Sequence, residues 1–127
     1  MFTPTIHAPS LDTRTIDVLL EALVRLNVLY LHSHPDTPAL YSSGVRYQRE
    51  APGKEEWLSI PECLKRGVGD CEDLCAWRAA EYRFDGYQAQ AFSQREPTKG
   101  PRPLFHVRVR LGGGRIVEDP SAVLGMR

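Results

Sequence analysis

The segment GVGDCEDLCAWRAAEYR, residues 67–83, contains the most informative feature of this chain, a cysteine at the expected start of a helix. This cysteine, Cys71, has carboxylate neighbours at Asp70, Glu72 and Asp73. Acidic neighbours make a thiolate harder to form, and they are also common at the beginning of a helix. Either the thiol is inert and the acids only open the helix, or another group offsets their charge.

Before this segment, the sequence predicts one long amphipathic helix. Apolar residues recur at helical spacing from Leu11 onward, with charged residues on the other side. Asp12 or Thr13 is the expected N-cap, and Pro35 stops the helix. Residues 1–10 carry two prolines and no periodicity, so they are predicted to form an irregular arm.

Shorter elements surround and follow the cysteine helix, which is predicted over Cys71–Arg83. In chain order they are a strand in GVRYQRE (44–50), a helix in SIPECLKRG (59–67), a weakly alternating strand in YQAQAFSQ (87–94) and a hairpin in LFHVRVRLGGGRIVED (104–119). Helices come first and strands afterwards. This order predicts a single α+β domain over 1–127, with N-terminal helices packed on a small antiparallel sheet.

The hairpin predicts a contact between a histidine and an aspartate. A two-residue turn at Gly112–Gly113 would place Val109 opposite Ile116 and His106 opposite Asp119. A register shift of two residues would keep His106 and Asp119 on the same face, one diagonal apart. Residues directly opposed across two strands have Cβ atoms about 4.5–5.5 Å apart, which a carboxylate–imidazole hydrogen bond can span.

Three residues together supply what a nucleophilic cysteine requires. Cys71 is the predicted nucleophile, His106 the base that takes its proton, and Asp119 the group that orients the imidazole. The helix N-terminus alone favours an anion by only about 0.3–1 kcal/mol. The flanking acids oppose this effect, so Cys71 needs an imidazolium or a cation nearby.

The motifs around this trio resemble those of the transglutaminase-like cysteine peptidases of the papain-like superfamily. GVGDCEDLCAWRAAEYRFDG (67–86) and FHVRVRLGGGRIVEDPS (105–121) match their pattern of a cysteine that opens a helix, a histidine on one strand and an aspartate at the end of the next. EEWLSIPECLKRGVGDCEDL (55–74) is closest to the bacterial transglutaminase-like cysteine proteinases. The similarity covers roughly residues 45–121 and is most specific around Cys71.

This resemblance implies a papain-like, transglutaminase-core fold and amide hydrolysis through a thioester. It also implies that Asp70, Glu72 and Asp73 form a calcium site, whose charge would favour the thiolate. Otherwise no cofactor is required for the chemistry. The same trio serves acyl transfer by protein-glutamine transglutaminases, and the fold can also be kept as a non-catalytic binding or structural module. The bacterial relatives are longer and exported, so their substrates are not carried over.

The oxyanion hole of such an enzyme needs donors near the sulfur. The backbone N–H of Cys71 is one candidate, and a side chain from an upstream residue is expected to be another. Tyr47, Gln48 and Trp57 are available, and Tyr47 is the preferred candidate.

Composition limits the remaining classes of partner. Hydrophobic residues make up 42% and charged residues 25%, with sixteen basic and sixteen acidic side chains. Such a balance is usual for a soluble globular protein and favours neither nucleic acid nor an anionic membrane. The family resemblance implies a protein or peptide substrate. The first residues do not resemble a signal peptide, so the sequence predicts a cytoplasmic location, or a virion-associated one if a phage encodes the chain.

Two metal-site alternatives are weaker. Cys63, Cys71, Cys75 and His106 could form a Cys₃His zinc site, but their spacing fits no familiar zinc motif. HSHPDTPALYSSGV (32–45) partly resembles zinc metalloproteases of the deubiquitinase type, but a valine stands where the third ligand, an aspartate, is needed. We therefore interpret its two histidines as cations near the C-terminus of the first helix.

Overall fold

The chain forms an α+β domain in which helices lie against small sheets. The computed structural model describes residues 5–7, 12–50, 56–96 and 104–126. In chain order the elements are β1 (Thr5–His7), α1 (Thr13–Ser33), β2 (Arg46–Tyr47), β3 (Glu56–Leu58), α2 (Ile60–Arg66), β4 (Val68–Gly69), α3 (Cys71–Phe84), β5 (Ala89–Glu96), β6 (Leu104–Leu111), β7 (Ile116–Glu118) and α4 (Pro120–Val123). Short 3₁₀ turns occur at Leu40–Ser42 and at Gly112–Gly114. The predicted α+β class is confirmed.

Within the described ranges, the strands form three separate ladders. The main sheet is the meander β5–β6–β7, and it is antiparallel, as the sequence predicted. β1 pairs antiparallel with β3, and β2 pairs parallel with β4. The prediction of an irregular arm over residues 1–10 was therefore wrong for Thr5–His7, because backbone pairing with Glu56–Leu58 makes this segment a strand. The rest of that arm lies outside the described residues.

Helices α1 and α3 cover one face of the main sheet. Ala91 and Val109 pair across β5 and β6, and both are buried on this face. The side chains of α1 and α3 complete the core, among them the fully buried Leu20, Leu23 and Trp77. Burial of such apolar area is the main stabilising contribution to the domain. In the described parts of the chain, no helix combines the length and the apolar character needed to cross a membrane.

The sequence predicted the helix ends well because they depend on local signals. Asp12 is the N-cap of α1, and its carboxylate accepts a hydrogen bond from the Thr15 N–H at 2.8 Å. Pro61 lies in the first turn of α2, and Gly67 ends it with a φ of +75°, a conformation that favours glycine. The predicted cap residue Ser59 is in place, but its hydroxyl makes no hydrogen bond to the helix.

The register of the hairpin differs from the predicted one by two residues. Val109 pairs with Glu118, and Leu111 pairs with Ile116. The predicted pair of Val109 and Ile116 was therefore wrong, and Ile116 is 61% exposed. The reason lies in Gly112–Gly114, whose three positive φ angles build a longer loop than a two-residue turn. A slip of two residues preserves the faces of the strands, so the face shared by His106 and Asp119 is unchanged.

An ion pair links the two main helices. Both terminal nitrogens of Arg83 on α3 lie 2.7 Å from the carboxylate oxygens of Glu21 on α1, and Arg83 Nε donates to the Ala89 carbonyl at 2.8 Å. The hydrogen bond from Arg83 lowers the pKa of Glu21 to about 2. The pair thereby connects α1, α3 and the beginning of β5.

We expect Glu21→Gln to destabilise the fold by about 1 kcal/mol at neutral pH, since the pair is only partly exposed to solvent. The folded pKa lies below the ordinary value of 4.5, so the contribution is present above that pH and is lost as the pH falls toward 2. Urea unfolding of both proteins between pH 2 and 7 measures this difference. A constant difference across the range would contradict the assignment.

Candidate active site

The N-terminus of α3 is capped by the carboxylates of Asp70 and Asp73. Asp70 is the N-cap, and its Oδ1 accepts the Cys71 N–H at 2.7 Å. Asp73 Oδ2 accepts the Asp70 N–H at 3.0 Å, which completes a capping box. Asp70 Oδ2 also accepts the Glu50 N–H at 3.0 Å. This arrangement positions Cys71 as the first residue of the helix.

Asp73 also joins α3 to the chain before it. Its Oδ1 accepts the Leu58 N–H at 2.6 Å, and the side chain is almost completely buried. Burial raises the pKa of Asp73 to about 8, although the two backbone donors favour its charged form. The acids beside the cysteine therefore have a structural role whether or not the thiol reacts.

We expect Asp73→Ala to destabilise the domain by about 3 kcal/mol, because it leaves the N–H groups of Leu58 and Asp70 without their acceptor. Asp73→Asn keeps one acceptor oxygen and should cost less. The matched control is Asp36→Ala in an exposed turn, which we expect to change stability by under about 0.5 kcal/mol. Equal losses in chemical unfolding of the two alanine variants would refute the assigned role.

The sulfur of Cys71 is buried and bonded to a carboxylate. Its side chain lies beneath the surface, and Sγ donates to Glu72 Oε2 at 3.3 Å. Burial, followed by the charges of Glu72 and Asp70, raises the pKa of Cys71 well above its ordinary value. Burial also raises the pKa of Glu72. In this arrangement Cys71 is a protonated thiol.

His106 and Asp119 form the predicted imidazole–carboxylate contact. His106 Nε2 lies 2.9 Å from Asp119 Oδ2, and the histidine side chain is 11% exposed. A carboxylate only accepts, so Nε2 carries the proton and Nδ1 is the basic nitrogen of the neutral ring. Arg108 Nε approaches the same Oδ2 at 3.4 Å, and Asp119 Oδ1 accepts the Ala122 N–H as the N-cap of α4.

The structure does not join the thiol to the imidazole by a hydrogen bond. Among the described residues, Cys71 Sγ donates to Glu72, and the ring of His106 bonds to Asp119. The elements that carry Cys71 and His106 are in contact near both residues. Cys75, one turn after Cys71, donates its thiol proton to the carbonyl of Val107, the residue after His106, at 3.2 Å. Alternation along β6 turns His106 to the face opposite the buried Val107.

Tyr47, the preferred candidate for the oxyanion donor, lies close to the start of α3. β2 pairs with β4 so that Tyr47 is opposite Gly69, two residues before Cys71. Burial raises the pKa of Tyr47 to about 12, and the charges of Asp70 and Cys71 add to this shift. The phenol thus stays protonated and able to donate. The other predicted donor, the Cys71 N–H, is already bonded to Asp70 in this arrangement.

The two further side-chain candidates for the oxyanion hole are placed less favourably. Gln48 is exposed, and Trp57 is buried on β3.

The predicted zinc ligands do not converge. Within the described ranges, three or more potential ligand atoms come together at Asp70, Cys71 and Glu72, whose atoms lie within 4.8 Å of one another. Cys63 and Cys75 are outside this group and point their sulfurs at backbone carbonyls instead. The Cys₃His alternative was therefore wrong.

The predicted calcium ligands fit a helix cap better than an ion site. Calcium takes about six to eight oxygen ligands. Both oxygens of Asp73 face backbone N–H groups, both oxygens of Asp70 do the same, and the convergent group includes a thiol. Calcium binding by Asp70, Glu72 and Asp73 stays a prediction of the sequence resemblance.

We expect millimolar calcium chloride to change the melting temperature no more than the same concentration of magnesium chloride does. The reason is that backbone N–H groups at the helix cap already bond to the carboxylates of Asp70 and Asp73. Differential scanning calorimetry of the chelator-treated protein measures this. The control variant is Glu72→Gln, which replaces the carboxyl group of Glu72 in the convergent group and leaves both cap residues. A calcium-specific rise that this variant abolishes would instead establish an ion site.

The histidines of the first helix have structural roles in the described chain. His34 is the C-cap of α1, stacks on Tyr30 with ring centroids 4.1 Å apart, and places Nδ1 3.1 Å from the Tyr30 carbonyl. His32 lies with its edge against Phe84 of α3. Both contacts agree with the position of these residues at the end of α1.

Sequence motifs could have revealed part of this site. The D-C-E-D order of residues 70–73 is a capping-box pattern with aspartate in place of glutamate. The bond between Cys71 and Glu72 and the approach of Arg108 to Asp119 depend on side-chain rotamers, which no sequence pattern specifies.

Comparison of the chain with protein-family models, curated proteins and solved structures finds no match.

Proposed function

We propose that this chain is a cysteine-dependent amide hydrolase with Cys71 as nucleophile, His106 as base and Asp119 as the orienting group. The observation that carries the proposal is the hydrogen bond between His106 Nε2 and Asp119 Oδ2, in a largely buried position. An imidazole held by a carboxylate through one nitrogen presents the other nitrogen as a base of defined direction.

The order of the elements supports a papain-like, transglutaminase-core fold. A cysteine begins the helix α3, a histidine lies on β6, and an aspartate follows β7. Helix α3 packs on the sheet that carries the other two residues, with Cys75 in contact with Val107. Three residues distant in sequence thus belong to one helix and to the sheet on which it packs. His106 is turned to the face opposite Val107, so the proposed reaction requires a movement that brings the thiol and the imidazole together.

The thiol must leave Glu72 before it can react. Its present bond to Glu72 Oε2 makes the described arrangement a resting state. In the proposed reaction Cys71 and His106 move within hydrogen-bond distance of each other, His106 Nδ1 takes the thiol proton, and the thiolate attacks a substrate carbonyl carbon. Tyr47 donates to the developing oxyanion.

Collapse of the tetrahedral intermediate completes the acylation. The C–N bond breaks, His106 gives its proton to the leaving amine, and a thioester on Cys71 remains. Water then attacks the thioester carbonyl and gives a proton to His106. The C–S bond breaks, a carboxylic acid is released, and the departing sulfur of Cys71 regains the proton from His106. An amine that replaces this water would give acyl transfer, the transglutaminase reaction, with the same three residues.

A second candidate is a non-catalytic binding or structural module. The observation that favours it is the state of the thiol, since burial and the charges of Glu72 and Asp70 raise the pKa of Cys71 well above its ordinary value. A thiol of this kind reacts slowly with electrophiles. Its reactivity therefore discriminates between the two candidates.

We expect iodoacetamide at neutral pH to alkylate Cys71 faster than the two other buried cysteines, Cys63 and Cys75, because Cys71 is the cysteine for which we propose His106 as base. His106→Ala should slow the alkylation of Cys71 by about a hundredfold, which is the low end of what a general base contributes. Peptide mass spectrometry of the native protein resolves the three rates. Asp36→Ala serves as a control in an exposed turn.

Equal and slow alkylation of all three cysteines, unchanged by His106→Ala, would reject the hydrolase and favour the binding module. Fast alkylation of Cys71 would then justify a screen of amide substrates with and without an added primary amine. The ratio of amine adduct to acid measures how much of the thioester goes to acyl transfer.

A further inference from the structure

The residue before Asp119 is the centre of a dense polar cluster. Glu118 ends β7, and its Oε2 accepts from the Tyr41 hydroxyl at 2.5 Å and from Arg78 Nε at 2.6 Å. Its Oε1 accepts from the Tyr82 hydroxyl. One carboxylate therefore receives three donors from two other parts of the chain. We refer to Glu118, Tyr41, Arg78 and Tyr82 as the Glu118 cluster.

The guanidinium of Arg78 is held in place from several directions. It lies 4.8 Å from the ring centroid of Tyr41 and 4.1 Å from that of Tyr82. It also bonds to Glu81 at 3.0 Å, and Glu81 in turn accepts the Leu40 N–H at 2.7 Å. Planar stacking and directed hydrogen bonds restrict an arginine far more than a solvent-exposed ion pair does.

Charge favours the ionised form of the central carboxylate. Burial opposes the ionisation of Glu118, but the hydrogen bonds from Arg78, Tyr41 and Tyr82 outweigh it and lower its pKa. The cluster is thus intact at neutral pH. It ties the end of β7 to α3 and to the 3₁₀ turn at Leu40–Ser42.

We propose that Glu118 is a positioning residue for Asp119, an inference that rests on the proposed function. Adjacent Cα atoms are about 3.8 Å apart, so fixing Glu118 against α3 leaves the backbone of Asp119 little freedom. Helix α3 also carries Cys71 at its start. The cluster therefore sets the orienting carboxylate, and through it the imidazole of His106, relative to the helix that carries the nucleophile.

The chain offers a matched control for this role. Glu21 forms a comparable paired contact with Arg83 of the same helix, and it takes no part in the contacts of His106 or Asp119. Glu118→Gln and Glu21→Gln each remove one carboxylate charge and keep the shape of the side chain. Tyr41→Phe removes a single hydrogen-bond donor to Glu118 and tests the contact between Glu118 and the 3₁₀ turn at Leu40–Ser42.

The readout is the tautomer of the imidazole, followed by long-range ¹H–¹⁵N spectra of His106 at a pH where the ring is neutral. In the unmodified chain we expect one tautomer, with the proton on Nε2 facing Asp119. Glu118→Gln should bring the ¹⁵N shifts of the two ring nitrogens closer together, because a displaced carboxylate no longer selects that tautomer. Tyr41→Phe should cause a smaller change in the same direction.

Glu21→Gln should leave the imidazole spectrum unchanged even if it lowers the melting temperature as much as Glu118→Gln does. Alkylation of Cys71 should slow by about tenfold in Glu118→Gln, if His106 acts as its base. An imidazole spectrum in Glu118→Gln identical to that of the Glu21→Gln control would overturn the positioning role.

The two proposals can fail separately. Slow alkylation of Cys71 in the unmodified chain would refute the hydrolase, while the tautomer measurement would still decide whether Glu118 positions Asp119. Conversely, fast alkylation together with an unaltered tautomer in Glu118→Gln would keep the hydrolase and reject Glu118 as its positioning residue.

Discussion

Two aspartates at the start of α3 hold the centre of this domain together. Asp70 and Asp73 accept backbone N–H groups from four residues, two of them at the helix start and two from the preceding chain: Glu50, Leu58, Asp70 and Cys71. Backbone donors at a helix start have no partner within the helix and must find one elsewhere. Here the partners are side chains of the helix itself, so the strand β3 and the helix α3 share one set of hydrogen bonds.

This constraint explains why a cysteine sits among carboxylates. Asp70 and Asp73 bond to the backbone of the preceding chain and cap the start of α3, and Cys71 is the first helical residue between them. The result is a thiol with a high pKa, bonded to Glu72. A reaction at this sulfur would therefore depend on groups outside the helix, which in the proposed function are His106 and Asp119, joined by their own hydrogen bond.

Local signals explain how much of the structure could be predicted. The caps at Asp12, Gly67 and Asp70 depend on residues within one turn, and the strand faces of β6 depend on simple alternation. Strand pairing between segments distant in sequence was harder to predict. β1 lies in a segment without periodicity, and its strand exists because Glu56–Leu58 provides an edge to pair with. The hairpin register depended on whether two or four residues form the loop, and the three glycines allow either.

The amino-acid sequence by itself determined the α+β class, the helix that begins at Cys71 and the shared strand face of His106 and Asp119, because each follows from spacing along the chain. Only the tertiary structure decided which partner each polar group takes. The sulfur bonds to Glu72, Asp73 turns to two backbone amides, and Glu118 gathers an arginine and two tyrosines from elements distant in sequence. These choices depend on side-chain rotamers and on burial, which are properties of the packed molecule.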